Sequence, residues 1–250
     1  MPFSKTLLGQ TLQTLGWLLL AITTGLILDS KFVAQNYYEH AQEVIVLLII
    51  PLYGYLFYKA TPRAKELLIY ALLIGIVGEY LFSATFGMYT YRLQNIPHYI
   101  PPGHAIVFLL VYYFNRKPKV QQHKKHIEFF CLIFIIPFAT YYLIVKNDVL
   151  GFICTLLIFY FLRKHPKERM FYLVMYTVVA ITELIGTSLE CWSWPTMAFN
   201  KFTFLPSANP PSGISLFYFG LDRGTMSFYK RRHKTAWLRL KTIRSISSKK

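Results

Sequence analysis

Apolar residues fall in eight runs along the chain, near residues 11–28, 41–58, 67–87, 101–114, 127–145, 149–162, 170–190 and 212–229, separated by short polar stretches. Most of them approach the roughly 20 residues that a helix needs to cross a hydrocarbon layer. The pattern predicts an all-α fold: a polytopic membrane helix bundle of about eight spans. The runs at 101–114 and 212–229 are short and follow or include double prolines, so the chain is expected to enter there at depth or at a tilt before becoming helical. The first run follows Lys5 as a secretory signal would. No small-residue cleavage site separates Leu28 from Asp29-Ser30-Lys31, and the run reads as a retained span.

Composition agrees with this pattern. Hydrophobic residues make up 54% of the 250 and charged residues 15%, against about 25% charged in soluble domains. That excludes a soluble globule and intrinsic disorder. Cys131, Cys154 and Cys191 have no pairing pattern, which excludes a small disulfide scaffold. The formal charge of +16 raises the question of nucleic acid. The basic residues, however, lie between the apolar runs, and no nucleic-acid partner is expected. With both termini placed in the cytoplasm, only Lys31, Arg92, Lys146 and Lys201 of the 27 lysines and arginines fall outside. This is the positive-inside bias, and it predicts a multi-pass protein of an inner, bacterial-type membrane. The tail, 230–250, mixes its charges with Trp237, Leu238, Leu240 and Ile243. It fits either a solvated topogenic tail or a segment lying on anionic lipid headgroups.

The chain also resembles itself. Lys59-Ala60-Thr61-Pro62 and the run after it match Arg163-Lys164-His165-Pro166 and its run, with Pro62/Pro166 and Glu79/Glu183 both 104 positions apart. Tyr89-Thr90-Tyr91 then faces Trp192-Ser193-Trp194. Ile96-Pro97 with Pro101-Pro102 faces Leu205-Pro206 with Pro210-Pro211 at an offset of 109, so the second loop holds five or six extra residues. Two four-helix parallel repeats are expected, related by an axis along the membrane normal: 1–125, then 126–229, followed by the basic tail 230–250.

Glu79 and Glu183 lie about 18–20 Å along their helices from the cytoplasmic end, inside the apolar slab. An ionised carboxylate there costs a few kcal/mol, so each must be protonated, paired or beside a wet cavity. A buried glutamic acid can act as a proton donor, which makes both candidate catalytic residues. The structural alternative is that each only hydrogen-bonds within the bundle, with Ser83 and Thr187, four residues on, as natural partners. Tyr89, Tyr91, Trp192 and Trp194 are candidate substrate-binding residues or an interfacial aromatic belt. His98 and His104 are the polar partners expected for the acids, with Asn209 opposite them. Glu190 reads as an interfacial charge. Asp222-Arg223 falls in the last run only if that run reaches Tyr229, and the span is expected to end before the pair, with Arg223 snorkelling to the basic side.

Other chemistries have little to stand on. His123 and His126 flank two lysines in a cytoplasmic loop, and no Gly-rich phosphate loop, Cys-x-x-Cys or Gly-x-Ser-x-Gly occurs. No metal and no cofactor is expected.

Glu79-x6-Phe86-Gly87-x-Tyr89-x-Tyr91 followed by Ile96-Pro97, together with Trp192-x-Trp194 followed by Leu205-Pro206-x-x-Asn209, resembles the multispanning carotenoid-biosynthesis proteins that include carotenoid end-group hydratases. The resemblance covers roughly residues 67–110 and 170–220. The chain departs from that family at Asn95-Ile96-Pro97, where the family favours Gly before the proline, and at Asn209-Pro210-Pro211, where a Gly-Trp pair follows the Asn. The resemblance implies addition of water to a terminal isoprenoid double bond, with Glu79 or Glu183 as the acid and the aromatic faces stabilising a tertiary cation. Two other classes stay open: a proton-coupled transporter of a lipid or small molecule, and a non-catalytic membrane scaffold subunit.

Overall fold

The structure is a computed structural model that describes residues 6–239. Each apolar run forms a helix. The first comprises α1 (Leu7–Thr11), a wide π turn (Leu12–Gly16) and α2 (Trp17–Leu28), and the short α3 (Lys31–Asn36) follows. Then come α4 (Ala41–Lys59), α5 (Pro62–Glu79) with a second π turn (Tyr80–Thr85), and α6 (Ile100–Phe114). A short α7 (Pro118–Gln122) leads to α8 (Lys124–Lys146), α9 (Val149–Lys164), α10 (Arg169–Ser188) and α11 (Ser215–Arg232).

Local chemistry sets the boundaries. Thr6, Ser30, Thr61 and Asp148 each accept a backbone N–H from the first turn of the helix they precede, and Pro62 follows Thr61 at a position where its missing N–H costs nothing. Five helical segments are long and apolar enough to cross a membrane: 7–36, 41–59, 62–85, 124–146 and 169–188. The helix α6 is apolar but shorter, and α11 carries Asp222, Arg223 and a basic last turn. Leu47, Leu48, Phe129, Phe130 and Ile144 are exposed on α4 and α8, as expected of helices that face lipid. In α10, 61% of the apolar window is buried, against 17–28% in the other four segments, which makes it the central helix. It packs against α2, α6, α8 and α11, while α5 lies between α6 and α11.

At the end of the bundle away from the basic turns, the connecting loops form two small ribbons. Strand β1 (Thr90–Tyr91) pairs antiparallel with β2 (Trp192–Ser193), matching Tyr91 to Trp192. Strands β3 (Met197–Ala198) and β4 (Phe202–Pro206) form a hairpin that accommodates the extra residues of the second loop.

Two buried aspartates brace these loops. Asp29, just past α2, accepts from Arg92 Nη2 at 2.9 Å, Tyr99 Oη at 2.5 Å and Gln42 Nε2 at 3.3 Å, tying the first helix to the segment between β1 and α6. Burial and the adjacent Asp29 carboxylate push the Tyr99 phenol above its ordinary range, so it remains a donor. Asp148, just past α8, accepts the N–H groups of Gly151, Ala208 and Ser212, tying the α8–α9 corner to the segment before α11. That segment lies so close to α9 that a Cβ on Gly213 would overlap the Gly151 carbonyl.

The last helix departs from the sequence expectation. It continues through Asp222 and Arg223 to Arg232, and Asp222 is buried in its middle, because the packing of α5, α9 and α10 around α11 outweighs the polarity of a single residue.

Removing a partner from a buried ion pair leaves an uncompensated charge, so Asp29→Ala should destabilise the fold by about 3–5 kcal/mol. Gln42→Ala, which removes one neutral donor, should cost about 1 kcal/mol. Unfolding of both variants by SDS titration from micelles measures the difference.

Candidate functional site

Both intramembrane-type glutamates reach the loop ribbon. Glu79 is the last residue of α5, where the backbone opens into the π turn, and Glu183 lies in the last third of α10. Side chains two apart on an extended strand share a face, and this explains the aromatic-x-aromatic spacing in each loop. Tyr89 and Tyr91 both donate to Glu79 Oε2, at 3.0 and 2.8 Å. Trp192 and Trp194 both donate their indole N–H to Glu183 Oε2, at 2.8 and 3.0 Å. Burial first, and Glu79 second, push both phenols above their ordinary range, which keeps them protonated as donors. The two sets interlock across the ribbon, with ring centroids 4.6 Å apart for Tyr89–Trp194 and 6.1 Å apart for Tyr91–Trp192.

The remaining carboxylate oxygens differ. Glu79 Oε1 lies 2.7 Å from His104 Nε2 on α6, so this pair can share one proton in either sense. The hydrogen bonds of the Glu183 carboxyl among the described residues both fall on Oε2, and none reaches Oε1. Indole nitrogens only donate. Both contacts on Oε2 therefore need lone pairs there, and a protonated Glu183 carries its proton on Oε1.

Both acids line one cavity of about 800 Å³ bounded by α2, α4, α5, α6, α10 and α11. Its polar groups include the two acids, their aromatic donors, His104 and Tyr218, whose ring meets that of His104 edge-on at 5.0 Å. Leucine and isoleucine dominate the rest. Leu20, Leu48 and Val77 belong to both this lining and the exposed apolar surface, so the cavity opens sideways between helices. A second cavity of about 800 Å³, walled by Lys31, Glu39, Arg92, Gln94 and Glu190, lies on the loop side. Tyr91 and Trp192 belong to the walls of both.

Of the residues singled out from sequence, Glu79, Glu183, Tyr89, Tyr91, His104, Trp192 and Trp194 come together here. Asn209 supports them indirectly: its Oδ1 accepts the Trp194 backbone N–H at 3.0 Å. His98 is exposed and makes no hydrogen bond to the acids. Ser83 donates to the Tyr89 carbonyl and Thr187 to the Glu183 carbonyl, so neither hydroxyl partners a carboxylate; helical hydroxyls reach backbone carbonyls first. Glu190 forms an exposed pair with Lys31 at 2.7 Å, which fits an interfacial charge. Tyr218 was not legible as a site residue, because it lies past the Pro-Pro segment with no counterpart in the self-match. Among the described residues no three His, Cys, Asp or Glu side chains are close enough to hold a metal.

A Cβ on Gly186 would overlap the Trp192 ring. Gly186→Ala should therefore push the indole off Glu183 and cost about 1–3 kcal/mol, whereas Gly220→Ala, with open space at its Cβ, should be nearly neutral. Tryptophan fluorescence and SDS titration report the two effects. No protein-family model, curated protein or solved structure matches the chain, so its function rests on the geometry of this site.

Proposed function

We propose that the chain is an eight-span membrane protein built from two parallel four-span repeats, with both termini cytoplasmic, in a bacterial-type inner membrane. Three features support this. The eight helices follow the eight apolar runs. Asp29 and Asp148 brace corresponding corners of the two halves. The equivalent strands β1 and β2 pair antiparallel, as a two-fold axis through the ribbon requires. Labelling of single cysteines should place Ser193→Cys on the outer side and Lys117→Cys on the cytoplasmic side.

The activity we propose is hydration of a terminal double bond in a carotenoid or related isoprenoid, without a cofactor. The observation that carries it is the unpartnered Oε1 of Glu183, held by two indole donors in an apolar cavity next to a polar one. Glu183 Oε1–H protonates the less substituted, CH carbon of the terminal double bond, which leaves a tertiary cation on the dimethyl-substituted carbon and a carboxylate. The rings of Tyr89 and Trp194, 4.6 Å apart, both line the cavity and can stabilise positive charge there. Water comes from the polar cavity past Tyr91 and Trp192 and attacks the cation. Its surplus proton passes to the hydrogen-bonded His104–Glu79 pair, so that alkene plus water gives a tertiary alcohol. The sideways opening suits a substrate dissolved in the bilayer.

In lycopene-producing cells, mass spectrometry of total lipids and pigments should find a species heavier by one water with the wild type. Glu183→Gln should lower its yield about 100-fold or more, and Glu79→Gln and His104→Ala should also lower it. An unchanged yield in the Glu79→Gln/Glu183→Gln double variant would sink acid catalysis by this site. Proton-dependent movement of a substrate of unchanged mass would replace hydration with transport.

A further inference from the structure

The basic end of the bundle carries cations that no acid of the chain answers. Of the 11 acids in the sequence, Glu66, Glu128 and Glu168 belong to the surface of that end, and each already faces a cation. Glu66 lies 2.7 Å from His233 and 3.9 Å from Arg232, Glu128 lies 3.7 Å from Lys124, and Glu168 lies 3.9 Å from Arg223. Residues 1–5 and 240–250 contain no Asp or Glu, so they add no carboxylate side chain.

Arg63 and Arg116 are the cations set into this surface by packing. Gly75 of α5 rests against Pro101 and His104 of α6, and the two helices run in opposite directions, so the first turn of α5 comes level with the last turn of α6. There the Arg63 guanidinium carbon lies 6.0 Å from the Tyr112 ring centre on α6 and 4.9 Å from that of Tyr229 on α11. Arg116, one turn past Tyr112, donates Nη1 to the Tyr112 hydroxyl and lies 5.2 Å from the same ring centre. Both guanidinium groups are thereby held to one ring, by contacts that neutralise neither charge. The Arg63 Nε is buried without an acceptor among the described residues, which leaves its two terminal nitrogens as the donors that reach the surface. The matching corner of the second half has no such arrangement: the position 104 residues after Arg63 is Lys167, exposed and next to Glu168.

We propose that Arg63 and Arg116 bind the phosphate of an anionic phospholipid in the leaflet at the basic end, the cytoplasmic leaflet on the proposed topology. Planar guanidinium groups with donors to spare match phosphate oxygens, and basic pockets between membrane helices hold such headgroups. The surface beyond suits acyl chains: Ile69 and Leu73, further along α5, and Phe228 of α11 are exposed. A lipid seated there joins the ends of α5, α6 and α11, three of the helices that wall the large cavity. The site does not depend on the hydration reading.

Native mass spectrometry of the full chain in neutral detergent, with dioleoyl-phosphatidylglycerol or dioleoyl-phosphatidylcholine added at equal concentration, tests this. The wild type should retain one phosphatidylglycerol about 10-fold more tightly than phosphatidylcholine. Arg63→Gln and Arg116→Gln should each weaken phosphatidylglycerol about 10-fold, the worth of one hydrogen bond to a charged group, and leave phosphatidylcholine unchanged. Lys167→Gln, the same change of charge at the matching corner, should alter neither. Equal retention of the two lipids by the wild type, or equal losses in Lys167→Gln and Arg63→Gln, overturns the site in favour of general surface charge. Displacement of phosphatidylglycerol by excess inorganic phosphate overturns the lipid as its ligand in favour of the free ion. A second measurement needs no variant: phosphatidylglycerol, and not phosphatidylcholine, should shield Arg63 and Arg116 from phenylglyoxal in peptide mapping of the wild type, and modification at the unshielded rate overturns the proposal.

Discussion

Two carboxylates inside an apolar bundle are the constraint to which the rest of the structure responds. Each would cost a few kcal/mol if ionised and unpartnered. The helices that carry them have no donors to spare, because their backbone N–H groups are already used. The donors therefore come from outside the helices, from four aromatic side chains on and immediately beside a ribbon two residues long in each strand. So short a ribbon cannot hold its position alone. Gly186 leaves room for one indole, Asn209 fixes the backbone of the next, and the Asp29 and Asp148 networks anchor the flanking loops to helix ends. Because β1 comes from the first half of the chain and β2 from the second, neither half contains the site by itself.

What was legible in the sequence was what local or repeated pattern records. Hydropathy is read over one helix length, and all eight runs formed helices with ends within a few residues of those expected. The self-match brought out Glu79, Glu183 and their aromatic pairs because it compares like with like across the chain. It also located the extra residues that form the β3–β4 hairpin.

Contacts between unlike, distant segments left no such trace. Ser83 and Thr187 sit one turn from the acids, but backbone carbonyls take their hydroxyls, and the donors that matter come from nine to twelve residues past the acids. His98 and His104 look equivalent in sequence, yet the start of α6 between them turns only His104 toward Glu79. Asp29 and Asp148 read as charges that end an apolar run, and only folding brings Arg92 and the 208–212 segment to them. Asp222 marks the end of a span in the sequence because one acidic residue lowers local hydropathy, while three neighbouring helices decide its burial.

A perfectly duplicated site would be blind to the direction of a chain-like molecule lying across it, since each end would meet the same groups. The second half breaks this equivalence in two places. Indoles, which can only give a hydrogen bond, stand where the first half has phenols, which can also receive one. At the offset of the Pro-Pro segments, the position matching His104 is Gly213, where contact with Gly151 leaves no space for any side chain. One acid is thereby coupled to a base and the other left facing the cavity. The cavity acquires a polarity along its length, so a molecule with two identical ends would meet different groups at each of them.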